Sequence, residues 1–232
     1  MDMRLCAIIP VKRLDKGKSR LAKVLNANER AMLSAAMLKD VLHVISYSQY
    51  ISNVFVITSD DTVKEIAYSY GALVLEDEDK GVNNAVALTN ESVKDYHASV
   101  ILPHDIPLIS NLDIAMLYSS ALYSKKCVVI TPSHRLDGTN ALLRKNPLII
   151  NTHYDEDSYM LHIKEAMDKG VRIKILLSKG LMYDIDEVDD LYNMVRFIKE
   201  KEFDEGSYTK EFLEGLKAKG FDEKEKEKMT NK

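Results

Sequence analysis

Short unbroken apolar runs alternate with longer amphipathic stretches from the start of the chain almost to residue 200, and this alternation fixes the fold class. The runs at 5–11 (LCAIIPV), 54–58 (VFVIT), 72–75 (ALVL), 98–103 (ASVILP), 127–131 (CVVIT), 140–144 (NALLR) and 171–177 (VRIKILL) read as strands. Because their apolar residues do not alternate with polar ones, both faces of the sheet must be covered. Helical patterns fill the intervals at 26–45, 60–71, 83–96, 110–124, 157–170 and 187–201. In the first, Asn26 is the expected N-cap with Glu29 as its capping-box partner. Met32, Ala35, Ala36, Leu38, Val41, Leu42 and Ile45 share one broad face of that helix. The pattern predicts a three-layer α/β/α sandwich around a mostly parallel mixed sheet.

Residues 1–202 read as a single domain and 203–232 as a charged C-terminal helix and tail. Phe203, Tyr208, Phe212, Leu213 and Leu216 suit one short helix packed on the body or on a second copy of the chain, which would make a homodimer. The last dozen residues, dense in Lys and Glu, read as a solvated, mobile tail. A net charge of −4 argues against a nucleic-acid partner. No apolar run has the length of a membrane span or a signal peptide, so the expectation is a cytoplasmic protein without a membrane partner. The two cysteines, Cys6 and Cys127, lie within apolar strand runs and read as reduced core residues.

In covered sheets of this kind ligands gather at the carboxyl ends of strands. The loop after the first strand carries five basic residues within nine: Lys12, Arg13, Lys16, Lys18 and Arg20. It includes Gly17-Lys18-Ser19, but a phosphate loop also needs glycine five positions before Gly17, and Lys12 stands there. What remains is a basic loop suited to gripping phosphate with side chains, or simply a solvated surface loop. Past the strand at 98–103, Asp105 stands beside that loop, and a carboxylate among phosphate-binding cations suits Mg²⁺. As a residue two before Pro107 it also suits a plain turn. Asp184 and Asp186, two apart in an extended segment, would face one side together. Asp189 and Asp190 fall in the first turn of the last helix and favour its dipole. Thr139 and Asn140 enter a strand from a turn, where a small anion could be held. Ser158 starts a helix, a natural anion site, with His162 one turn on. The remaining histidines, among them His43, His97, His134 and His153, show no zinc-type spacing.

Taken in order, IPVKRLDKGKSRLAKVLNANER, ITSDD, LPHDIPLI, DGTNALL, DSYMLHIKEA and DIDEVDDL resemble the 2-phospho-L-lactate guanylyltransferase family over residues 4–198. The resemblance implies a GT-A-like nucleotidyltransferase fold and a Mg²⁺-dependent enzyme of coenzyme F-420 biosynthesis. Such an enzyme transfers GMP from GTP to a small phosphorylated three-carbon acid and releases pyrophosphate. The acid would be 2-phospho-L-lactate, with phosphoenolpyruvate or 3-phosphoglycerate as alternatives. It further implies Lys12, Lys18 and Arg20 on the triphosphate, with Lys18, Arg20 and Asp105 in the catalytic step. Ser59 and Asp60 would meet the base and ribose. The metal would be held by Asp105, Asp184 and Asp186, and the acid by Thr139, Asn140, Asp155 and Ser158. Two positions depart from the family pattern: Asp137 and Asp155 stand where relatives carry glycine, and the charge of Asp155 would oppose an anionic acid. The rival readings are a nucleotidyltransferase for another phosphorylated acceptor and a non-catalytic GTP-binding regulator.

Overall fold

The computed structural model describes residues 3–155, 157–199 and 207–218. Seven strands form one mixed sheet: β1 Leu5–Pro10, β2 Ile51–Thr58, β3 Leu73–Glu76, β4 Ala98–Ile101, β5 Cys127–Pro132, β6 Thr139–Lys145 and β7 Arg172–Ile175, in the order β3-β2-β1-β4-β6-β5-β7. Four pairings are parallel, and β6 runs antiparallel to both neighbours. Because β6 is reversed, its first residues, Thr139 and Asn140, lie at the edge where β1, β4 and β5 end.

Successive strand residues feed two cores, as a sheet covered on both faces requires. Leu5, Ala7, Ile9, Val100, Val129 and Leu143 pack on one side against α1 (Ala27–Ser46), α2 (Asp61–Ser69) and α5 (Asn111–Leu122). Cys6, Ile8, Ile57, Ile101, Val128 and Leu142 face α3 (Val82–Ala87), α4 (Asn90–Val93) and α6 (Ser158–Asp168). The expected sandwich is therefore present. Both cysteines are buried and unpaired, and burial pushes the Cys6 thiol up to about 12.

A third cluster lies outside the sandwich and ties the ends of the site together. Leu21, within the second of two 3₁₀ turns at Leu14–Lys16 and Ser19–Lys23, and Leu25 just past it meet Leu33 and Met37 of α1. They also meet Leu191 and Val195 of α8 (Val188–Lys199) and Leu213 and Leu216 of α9 (Ser207–Ala218). Each such buried aliphatic side chain contributes about 2 kcal/mol. α1 thus buries two faces, where its periodicity predicted one. Met32, placed on the core face by that pattern, is 52% exposed, while Leu33 and Met37 are buried. Leu213 and Leu216 complete this chain's own core, the packing on the body that was one of the two expected of them. Phe203 and the expected mobile tail lie outside the described residues. Among the described residues no helix is long and apolar enough to cross a membrane.

Capping sets where the helices begin. Asn26 Oδ1 accepts from the Glu29 amide, and Glu29 Oε2 accepts from the Asn26 amide, both at 3.0 Å. Ser110 and Asp113 repeat this arrangement at α5.

Candidate active site

The chain leaves β1 through the two 3₁₀ turns, and Lys18 between them adopts the left-handed conformation (φ 54°). That turn drives its side chain inward. The ammonium is buried, donating to Asp105 Oδ2 and, at 2.7 Å, to Asp186 Oδ1. Burial alone would lower its pKa, but the two carboxylates push it up to about 12. In turn Lys18 holds Asp105 below the usual carboxylate range against the pull of burial. The Asp105 carbonyl accepts from the Ile185 amide at 3.1 Å, which fastens the loop after β4 to the segment bearing Asp184 and Asp186. A buried ion pair of this kind is weak evidence of net stability, but it fixes positions.

Asp184 faces other partners. Asn140 Nδ2 donates to it at 3.3 Å, and His134 and Arg135 approach at 3.6 and 3.7 Å. Burial, followed by the charges of Asp105 and Asp186, raises its pKa to about 6. Asp190 has a larger part than the dipole contact expected of it. Its Oδ2 accepts from the amides of Asp186 and Glu187 at 3.0 and 2.8 Å, and its two oxygens take Arg135 Nη1 at 2.9 and 3.1 Å. His134 and Arg135 therefore belong to the site, although the sequence reading passed over them. They follow β5, and attention to every strand end would have found them.

Asp105, Arg135, Asn140, Asp184 and Asp186 wall a cleft of about 550 Å³ that also takes in Arg20, Asp137, Thr139, Asp155, Asp157 and Ser158. Arg20 reaches Glu187 at 3.3 Å near the surface. Asp137 is turned to Ser133, whose hydroxyl donates to it at 2.7 Å and draws its pKa down. Asp155 does line the cleft, and Asn83 Nδ2 donates to it at 3.1 Å. Ser158 is the first residue of α6, whose N-cap provides no side-chain acceptor. Thr139 Oγ1 lies 3.0 Å from Nδ1 of the fully buried His162.

The basic loop is divided by the fold. Lys12, Arg13 and Lys16 line a separate cleft of about 280 Å³ with Asp77, Asp79 and Val82. Ser59 lies beside it, donating to Asp79 at 3.0 Å. Asp60 is taken up by the backbone. Its carboxylate caps α2 through the amides of Thr62 and Val63 and accepts from the Leu14 amide at 2.9 Å. Both carboxylate oxygens of Asp60 are thus engaged by main-chain amides, which tie the loop after β1 to the start of α2.

Residues 5–230 match the family model described as guanylyl transferase CofC like. The chain belongs to this family. The match extends through the charged C-terminal segment, which the motif resemblance left outside. A phosphoenolpyruvate guanylyltransferase of Roseiflexus castenholzii is 40% identical over 189 residues, 82% of this chain and 87% of the relative. A 2-phospho-L-lactate guanylyltransferase of Methanothermobacter thermautotrophicus is 33% identical over 217 residues, 93% and 92% of the two chains. The solved structure of a Desulfovibrio desulfuricans protein assigned to the nucleotide-diphospho-sugar transferases superposes with TM-score 0.74 at 16% identity, covering 94% of this chain and 96% of that one. A Leptospira borgpetersenii cytidylyltransferase gives 0.59 at 17% identity, with coverage of 93% and 96%. The GT-A-like nucleotidyltransferase fold expected from the resemblance is the fold observed.

In this guanylyl transferase-like chain the donors for Mg²⁺ can be tested against the geometry. Asp105, Asp184 and Asp186 offer the hard oxygen ligands the ion prefers. The pKa of Asp184 is raised first by burial and then by the charges of Asp105 and Asp186, and a cation would relieve that second part. Among the described residues, however, no three acidic, His or Cys side chains already stand as a metal-binding group. The reason is visible: Lys18 occupies the space between two of the carboxylates, and Asp184 is turned to Asn140. The chemistry of the residues fits the ion, and the arrangement is one in which Lys18 neutralises them.

Proposed function

We propose that this chain transfers GMP from GTP to a phosphorylated three-carbon acid, first 2-phospho-L-lactate and second phosphoenolpyruvate, in the making of coenzyme F-420. One observation carries the reading: Lys18, Asp105 and Asp186 are locked together at the carboxyl edge of the sheet, with Thr139, Ser158 and the open N-terminus of α6 lining one cleft and Lys12, Arg13 and Lys16 lining another. The names of the relatives supply the guanylyl group and the two acids. Lys12, near the end of β1, would hold phosphates of GTP, and Ser59 and Val82 mark the nucleoside side. Arg20 would take the leaving pyrophosphate, and Thr139, Asn140 and Ser158 would bind the acid.

The chemistry needs position more than proton transfer. A phosphate oxygen of the acid, already an anion, attacks the α-phosphorus of GTP and forms a new P–O bond. The bond from that phosphorus to the bridging oxygen breaks, and pyrophosphate leaves with its electron pair. Bringing two anions together is the main barrier, and fixed cations and donors lower it. The cleft itself is acidic, with six aspartates against two arginines. That imbalance supports a divalent cation: Mg²⁺ held by Asp105, Asp184 and Asp186 would neutralise phosphate charge. Asp155, tethered to Asn83, would keep its backbone rather than its carboxylate towards the acid.

Pyrophosphate release from purified protein tests this, with Mg²⁺ and GTP and each acid supplied separately. Release that depends on one acid supports the transfer and identifies the acceptor. Silence with every acid sinks it. In the same assay Asp105→Asn should lower kcat at least a hundredfold, since lost electrostatic stabilisation of this kind costs about 10²–10³ in rate. Near-normal turnover would remove Asp105 from the reaction.

A further inference from the structure

His162 has no role in the transfer as proposed, yet its ring is fully buried and both ring nitrogens are engaged. The His153 backbone amide donates to Nε2 at 2.9 Å. A backbone N–H has no lone pair to offer, so Nε2 must be the bare, accepting nitrogen. A neutral ring then carries its proton on Nδ1. A charged ring would set Nε2–H against the His153 N–H, and it would also face the buried guanidinium of Arg144 on the same side of the sheet. Burial, then His153 and Arg144, accordingly lower the ring to about 4, against weaker favourable effects of Glu165 and the Ser158 main chain.

Nδ1–H points at Thr139 Oγ1, 3.0 Å away. A threonine hydroxyl has two lone pairs and one proton. When an N–H occupies a lone pair, the hydroxyl cannot donate in that direction, and its proton is left for another acceptor. Thr139 lines the cleft beside Ser158 and the open turn of α6.

We infer that His162 is a positioning residue: fixed as the Nδ1–H tautomer by the His153 amide, it takes a lone pair of Thr139 and leaves the hydroxyl proton directed at an anionic oxygen of the acid. His153 is itself braced, its ring meeting Glu165, which also accepts from the Asn151 amide at 2.9 Å. The inference rests on the acid-binding part of the proposed function. It adds that the site is set as a donor before the acid arrives, through a buried chain that touches neither GTP nor the carboxylates around Lys18.

The test separates the two ring nitrogens. In His162→Asn the side-chain amide lies where Nδ1 was and can still donate to Thr139. In His162→Gln it reaches the Nε2 position and keeps only the His153 contact. Acid affinity, by calorimetry with phosphoenolpyruvate and 2-phospho-L-lactate, and KM for acid and for GTP are measured on both variants and on Thr139→Val. A hydrogen bond to a charged group is worth about tenfold to a hundredfold in binding. His162→Gln and Thr139→Val should weaken acid binding by about that factor and leave the GTP KM unchanged, while His162→Asn stays near wild type. Equal losses in the two histidine variants, or a parallel rise in the GTP KM, would overturn the inference.

Nitrogen NMR of the wild-type ring gives a check that needs no variant to fold: Nδ1 protonated and Nε2 bare supports it, and the reverse pattern refutes it. If acid binding depends on Thr139 and falls in His162→Gln but not in His162→Asn, yet no pyrophosphate appears, the transfer reading fails and the His162 inference stands. If pyrophosphate is released but acid binding ignores both Thr139→Val and His162→Gln, the inference fails alone. Acid that neither binds nor reacts overturns both.

Discussion

Gly180→Ala tests how the acidic segment is anchored. Gly180 lies in a one-turn helix, α7 (Lys179–Met182), docked on the start of α5. A Cβ at this position would stand well inside contact with Asp113 Oδ2 and 2.7 Å from the Leu108 carbonyl. Neither neighbour can yield cheaply. Asp113 is buried, accepting from the Ser110 amide at 2.8 Å, from the Ser110 hydroxyl at 2.6 Å and from Ser178 Oγ. Leu108 O is backbone. Overpacking costs about 1–3 kcal/mol and a lost cap about 1 kcal/mol, so the substitution should destabilise by about 2–4 kcal/mol. In a chain of this size that lowers Tm by roughly 5–15 °C, read by circular dichroism on heating. In an Asp113→Ala background the side-chain obstacle is gone but the carbonyl remains, so the added cost of Gly180→Ala should shrink without vanishing. Activity should fall too, since the Met182 carbonyl accepts from the His134 amide at 2.9 Å and from Asn140 Nδ2 at 3.0 Å. A change below about 0.5 kcal/mol, the scale of a neutral surface substitution, would refute the argument.

Two further expectations follow from single residues. His162 has its pKa lowered to about 4 in the folded chain, so below its ordinary 6.5 the unfolded state binds the extra proton. Stability should thus fall from pH 6.5 towards pH 4, by about 2 kcal/mol at pH 5, and urea melts of His162→Asn that keep the wild-type slope would contradict this. Leu136, between β5 and β6, is 57% exposed and held at φ 64°, a conformation that costs a branched side chain about 1 kcal/mol. Leu136→Gly should raise stability by about 0.5–1 kcal/mol, and a lowered thermal midpoint would show that the leucine makes a contact that outweighs its strain.

What the sequence revealed and what it concealed divide along one physical line. The helix starts at Asn26 and Ser110 were legible because a cap and its partner lie three residues apart. The strands were legible because burial on two faces leaves an unbroken apolar run. The second buried face of α1 was not, since Leu33 and Met37 answer to α8 and α9, more than 150 residues away in the chain. The direction of β6 is equally a matter of its neighbours, although the place of Thr139 and Asn140 at the cleft depends on it. The same holds for charge. Lys12 and Lys18 are six residues apart in one basic loop, yet one lines an open cleft and the other is sealed between Asp105 and Asp186. Asp189 and Asp190 are adjacent and alike in sequence, and it is Asp190 that accepts from Arg135 and from the two amides of the segment bearing Asp186. A charged residue in sequence carries only its own sign. In the folded site its behaviour is set by the opposite charges that other strand ends bring to it, and for Lys18 the charges of Asp105 and Asp186 make it the pin that joins the loop after β1 to two acidic segments.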